Sequence, residues 1–139
     1  MNYYRFISKC IIALLSCIIG LSSCRNDNKI PTNEIHYTTI DNSVLPFNFD
    51  EGRIVSNSYV PDKNVCILKL DKDVTEIENR GFSACSSLKS ITIPPSVTKI
   101  GVDAFSACSN LTSITIPQSV TKIGKYAFSG CSSLTSISI

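Results

Sequence analysis

The chain has 139 residues, 43% of them hydrophobic, with 13 basic and 11 acidic side chains and a formal net charge of +2. That length bounds it to one domain. The near balance of charge excludes a nucleic-acid surface built on a basic patch and a tail built on a block of like charge. One histidine, His36, leaves no Ser-His-Asp or Cys-His arrangement to nominate, and there is no Gly-rich phosphate loop.

The first element is a short basic head, with Arg5 and Lys9, followed by the apolar run "CIIALLSCIIGL" over 10–21. Twelve residues are too few to span a bilayer, which takes about 20. The segment reads as a secretory signal, residues 1–23. Its end, Leu21-Ser22-Ser23-Cys24, resembles the bacterial lipobox: an aliphatic residue, two small residues, then cysteine. That resemblance implies lipidation of Cys24 and a membrane attachment through acyl chains, each buried CH₂ contributing about 0.8 kcal/mol. Arg5 and Lys9 account for the net charge, so the chain from Cys24 onward is balanced. Residues 24–34 are polar and read as a flexible tether. Residues 35–62 read as short strands of an N-terminal lead-in, a β cap over the repetitive remainder of the chain.

That remainder is built from near-identical copies. Residues 85–107, "CSSLKSITIPPSVTKIGVDAFSA", are followed by "CSNLTSITIPQSVTKIGKYAFSG", with 17 of 23 positions identical, and then by "CSSLTSISI". The period of 23 is marked by Cys85, Cys108 and Cys131. Leu88/Leu111/Leu134, Ile91/Ile114/Ile137 and Phe105/Phe128 keep it. A looser copy runs through Val65, Leu68, Leu70, Val74, Ile77 and Phe82, giving about three and a half copies over 63–139. The six differences between the two best copies all fall outside the apolar columns, as a shared core under a solvated exterior requires. Within a copy, "SITIP" alternates and is β-branched, so it reads as a strand closed by proline. "SVTKIG" turns the chain, with Gly124 expected at positive φ. "YAFSGCS" is one tight turn. One strand and one return per 23 residues describes a β-rich solenoid whose coils stack to share one interior.

The pattern C-S-x-L-x-S-I-x-I-P-x-S-V-x-x-I-G-x-x-A-F-S is similar to the BspA-type leucine-rich repeat. The resemblance implies a leucine-rich repeat solenoid of 23-residue coils, one parallel strand plus a short turn each, behind an N-terminal β cap. It also implies a non-enzymatic surface lipoprotein of the bacterial envelope, at the outer membrane or cell surface. Members act as adhesins toward matrix proteins such as fibronectin and fibrinogen.

With leucine and isoleucine inward, the opposite strand side forms a ladder: Ile67, Lys69 and Asp71; Ser90, Thr92 and Pro94; Ser113, Thr115 and Pro117; Ser136 and Ser138. Solenoids bind on this concave face, so Lys69, Ser90, Thr92, Ser113, Thr115, Ser136 and Ser138 are the candidate contacts for a protein or glycan ligand. Four strands make it about 15–20 Å wide. A plain solvated face has the same composition. Lys99 and Lys122 stand one and two coils beyond Glu76 in a surface column.

Other features carry less. The three repeat cysteines stack in one column, point in parallel and are odd in number, so they read as buried thiols and not as a metal set; no metal or other cofactor is expected. Cys66 falls outside that column and is unassigned. His36, the sole histidine, lies in the lead-in, far from the cysteine column. Asp71, Asp73, Glu76 and Glu78 lack the glycine and spacing of a calcium loop and read as a solvated turn. "LTSISI" stops in mid-coil without a polar cap, and an open strand edge pairs with other chains. Self-association there, a passive structural role, or truncation of a longer array are the alternative expectations.

Overall fold

A computed structural model of the chain describes residues 30–46, 49 and 53–139. The expected signal segment and Cys24, the expected lipidation residue, lie outside the described residues. Among the described residues no helix is long and apolar enough to cross a membrane.

Among the described residues, nine strands form two sheets: β1 Glu34–Thr39, β2 Ile54–Val60, β3 Val65–Leu70, β4 Glu76–Ile77, β5 Leu88–Thr92, β6 Lys99–Ile100, β7 Ser113–Thr115, β8 Lys122–Ile123 and β9 Ser136–Ser138. The front sheet has six strands in the order β2-β3-β1-β5-β7-β9, and the back sheet has three, β4-β6-β8. The parallel pairs obey the repeat. Ser90 faces Ser113 and Ser113 faces Ser136, while on the back Ile77 faces Ile100 and Ile100 faces Ile123. The architecture is a strand-rich repeat solenoid.

The lead-in does more than cover the first coil. β2 lies outside β3, but β1 runs antiparallel to both β3 and β5 and sits between them. The alternation of "EIHYTT" explains the fit. Ile35, Tyr37 and Thr39 point into the core at 0%, 1% and 5% exposure, and Glu34, His36 and Thr38 point outward. β3 and β5 are thus two strand spacings apart, about 10 Å, while β4 and β6 behind them are one spacing apart, about 5 Å. β1 is a wedge on the front of a stack that is continuous at the back. The Thr32 carbonyl accepts from the Val74 amide at 2.8 Å and from Ser96 Oγ at 3.2 Å, and the Asn33 carbonyl accepts from the Leu70 amide at 2.9 Å, so residues 32–34 belong to the fold.

The core is the apolar columns. Leu68, Leu88, Leu111 and Ile114 are buried, and Phe82, Phe105 and Phe128 stack face to face with ring centroids 5.2 and 5.5 Å apart. Phe49 meets Phe82 edge-on at 5.4 Å. In the last coil Phe128 and Leu134 pack against the core on one side only and are less deeply enclosed than their counterparts one coil earlier.

Hydroxyls bind one coil to the next. Thr98, Thr112, Thr121 and Thr135 each donate Oγ1 to the carbonyl 23 positions earlier at 3.1–3.3 Å. Ser96 and Ser119 donate Oγ to the Val74 and Val97 carbonyls, 22 positions earlier, at 2.7 and 2.6 Å.

The reading of Gly124 changes. Gly124 does not adopt positive φ. The left-handed positions are instead Arg80, Asp103 and Tyr126, and Ala84, Ala107 and Gly130, once each per repeat. Gly124 and Gly101 are required by proximity: a Cβ on Gly124 would stand 2.5 Å from the Gly101 carbonyl carbon, and one on Gly101 2.6 Å from the Asn79 nitrogen.

Candidate functional site

The outward side chains of the front sheet form two rows across the strands. One row runs Ser58, Ile67, His36, Thr92, Thr115, Ser138, and a second runs Thr38, Ser90, Ser113, Ser136. Register alone fixes this order, because directly opposed residues in a sheet point to the same face. Six strands make the face about 24 Å wide, wider than the four-strand ladder expected from the repeats. Thr115, Ser136 and Ser138 are exposed; Ser90, Thr92 and Ser113 are half-buried. Thr38 Oγ1 and Ser90 Oγ share a hydrogen bond of 2.7 Å across the junction between lead-in and repeats.

A polar cluster occupies the centre. Glu34 lies between His36, with Nε2 to Oε2 at 3.1 Å, and Lys69, with Nζ to Oε1 at 3.9 Å. Lys69, expected one strand from the serine and threonine columns, is two strands from Thr92, with β1 between. Pro94, expected in the ladder, is buried. His36, expected in the lead-in and not named among the candidate contacts, is directly opposite Thr92 on one side and Ile67 on the other. Its outward direction was readable from the alternation of 34–39. Its neighbours were not, since an antiparallel insertion leaves no periodic mark.

A family model described as "BspA type Leucine rich repeat region (6 copies)" matches residues 53–139, more than half of the chain. The chain belongs to the BspA-type leucine-rich repeat family. No curated protein matches it. A crystal structure of a leucine-rich repeat protein from Bacteroides ovatus is similar, at 30% identity and a TM-score of 0.49. That match covers 66% of this chain and 29% of the other, so the BspA-type chain spans under a third of that protein's length.

The cysteines of this BspA-type repeat are structural. Cys108 Sγ donates to the Phe82 carbonyl at 3.0 Å, Cys131 Sγ to the Phe105 carbonyl at 3.1 Å, and Cys85 Sγ to the Pro46 carbonyl at 3.6 Å. Burial pushes the Cys85 thiol up to about 11. Burial, with the neighbouring Cys85 and Cys131, pushes Cys108 to about 12. Cys131 is raised by burial as well. High thiol pKa opposes both nucleophilic and metal-ligand roles. Cys66 now has a place: it is buried on β3 opposite Tyr37, its Sγ donates to the Ser43 carbonyl at 3.5 Å, and burial raises it too.

The acidic run is dispersed into separate contacts. Asp71 and Glu78 meet Arg53 at 3.8 and 3.0 Å, Asp73 accepts from Thr32 Oγ1 at 2.6 Å, and Glu76 meets Lys99 at 2.6 Å. Of the surface column expected from the repeat, the Lys99–Glu76 contact forms, with Lys122 next to Lys99. Among the described residues, no three His, Cys, Asp or Glu side chains are placed to hold one metal ion.

Proposed function

We propose that this BspA-type chain is a lipid-anchored envelope module that binds a protein ligand through the outer face of its front sheet. The observation that carries the reading is the in-register array of Thr38, Ser90, Ser113 and Ser136 beside His36, Thr92, Thr115 and Ser138. Small hydroxyl side chains on a rigid sheet form a low, pre-ordered surface, and ordering it for a ligand costs little side-chain entropy. The glutamate, histidine and lysine at its centre supply directional polar contacts. Neither row holds a phenylalanine, tyrosine or tryptophan, so the face lacks the stacking platform a sugar would use, and a protein ligand fits it better than a glycan. Proteins of this repeat family typically bind and do not catalyse, which agrees with a non-enzymatic role.

The anchoring part of the proposal rests on Leu21-Ser22-Ser23-Cys24. In full, the protein would be a solenoid of about three and a half 23-residue coils behind a β cap, held at the outer membrane or cell surface through Cys24, with residues 25–31 as the tether. Metabolic labelling with a fatty-acid probe tests it: label on the natural chain and none on Cys24→Ser is the expected outcome.

The binding part is tested by capture of matrix proteins, fibronectin and fibrinogen first, on immobilised chain. Thr92→Arg and Thr115→Arg should abolish capture while leaving the fold intact. Capture that ignores both substitutions rules out the outer face.

A second reading is a structural envelope component or one segment of a longer repeat array. It is supported by Ile123 and Ile137, exposed at 52% and 48% where Ile100 and Ile114 one coil earlier are at 0% and 2%. A further coil or a partner against this end would bury them. Light scattering of the natural chain and of Ile137→Lys separates the two: association with rising concentration that the substitution abolishes belongs to this apolar end, and association that survives it does not.

A further inference from the structure

The other end of the front sheet carries a feature that neither the repeat nor the anchor explains. Among the described residues β2 is an edge strand of seven residues, "IVSNSYV", hydrogen-bonded to β3 on one side only. Proteins protect such edges with lysine, proline or inward charges. β2 has none of these. Its pairing with β3 is irregular between Ile54 and Ser56, which leaves Val55 at 60% exposure beside the open edge.

The strand reads nearly the same in both directions about Asn57. Ser56 mirrors Ser58, Val55 mirrors Tyr59, and Ile54 mirrors Val60. An antiparallel pair related by a two-fold axis brings each residue opposite its mirror position, so such a strand is complementary to itself. We propose that β2 pairs antiparallel with β2 of a second copy of this chain, centred on Asn57. In that register the two serines meet on the outer side. Val55 of one copy meets Tyr59 of the other, a β-branched and aromatic pair of the kind that stabilises sheets. Arg53 of one copy comes opposite Pro61 of the other, next to Asp62, so opposite charges lie at both ends of the pair. Asn57 is already held in its own subunit, accepting from the Tyr37 hydroxyl at 2.7 Å and donating to the Leu45 carbonyl at 3.2 Å, so its strand is rigid before pairing.

The two-fold axis stands perpendicular to the sheet, because opposed side chains share a face. Both outer faces therefore end on the same side, joined into one twelve-stranded surface about 50 Å across. The pairing goes beyond the ligand-binding reading and does not depend on it. If both hold, two sites act together, and a ligand with repeated epitopes is retained by avidity.

The test is sedimentation of the full chain in a mild detergent, over a range of concentrations. The expected result is a reversible dimer. Ser56→Lys with Ser58→Lys places lysine opposite lysine twice and should weaken it about tenfold, with an unchanged circular dichroism spectrum. Ser56→Cys with Ser58→Cys should give a covalent dimer on mild oxidation, while neither single substitution does so efficiently. Ser136→Lys on β9 should leave the dimer unchanged. A chain that stays monomeric throughout, or a dimer that survives the β2 lysines and is lost on Ser136→Lys, overturns the proposal. Capture by the outer face is read separately through Thr115→Arg, so either idea can fail alone.

Discussion

The Tyr37 hydroxyl donates to Asn57 Oδ1 at 2.7 Å and accepts the Leu45 amide proton at 3.1 Å. One side chain of the inserted strand thus fixes the edge strand β2 and the loop after β1 from inside the core, at 1% exposure.

Tyr37→Phe keeps the ring and removes both bonds, leaving the Leu45 amide without its acceptor. The expected loss is about 1–3 kcal/mol, read by urea unfolding. Tyr37→Ala, which also empties the ring's volume, should cost about 3–5 kcal/mol. A neutral Tyr37→Phe would show that these contacts do not hold the lead-in.

Gly101→Ala places a methyl group 2.6 Å from the Asn79 nitrogen and 2.7 Å from the Glu78 carbonyl carbon. Backbone atoms cannot rotate away, so adjacent coils must separate. The expected destabilisation is about 1–3 kcal/mol, seen as a lower Tm. An unchanged Tm would mean the coils are further apart than described.

Ala107→Gly should act in the opposite direction. Ala107 sits at φ 58°, where the third repeat has Gly130 at φ 74°. A left-handed non-glycine residue costs about 1–2 kcal/mol, and glycine gives back part of that in unfolded-chain entropy, about 0.5–1 kcal/mol. A net gain of about 0.5 kcal/mol is expected in denaturant unfolding, with a similar loss for Gly130→Ala. Destabilisation by Ala107→Gly would contradict it.

Alkaline conditions should weaken the fold. Cys85 and Cys108 are raised from 9.0 to about 11 and about 12, and Tyr37 from 10.0 to about 12, all chiefly by burial. Above pH 9 the unfolded chain releases these protons while the folded chain retains them, so the unfolded state binds fewer protons and stability falls with rising pH. The stabilisation is complete below pH 9 and declines between pH 9 and 12. The urea midpoint, measured from about pH 8 to about pH 10.5, should fall, and Cys108→Ala should flatten the slope. A midpoint constant over that range would show the thiols to be open to water.

Much of this was legible in the sequence because it is periodic. The stacking of β5, β7 and β9, the phenylalanine column, the buried thiols and the Lys99–Glu76 contact all follow from a 23-residue spacing, and translation along one axis preserves neighbours. What escaped was aperiodic. β1 enters from the opposite direction between two coils, so His36 and Glu34 joined the candidate face, and Lys69 stands one strand farther from the serine and threonine columns. Gly124 was correctly singled out for the wrong reason: its neighbour is the backbone 23 positions earlier, a contact visible only in three dimensions. Part of the serine and threonine signal was also ambiguous, since Thr98, Thr112, Ser96 and Ser119 face along the stack and bond to carbonyls, not outward.

The placement of β1 has a mechanical consequence. Its bonds to β3 and β5 run perpendicular to its length. Tension applied at residue 30 and directed along the strand is shared by both ladders at once, in shear, instead of opening them one rung at a time. The handle of this molecule is its central beam, and a drag that would peel an edge strand must here slide a buried one between two neighbours.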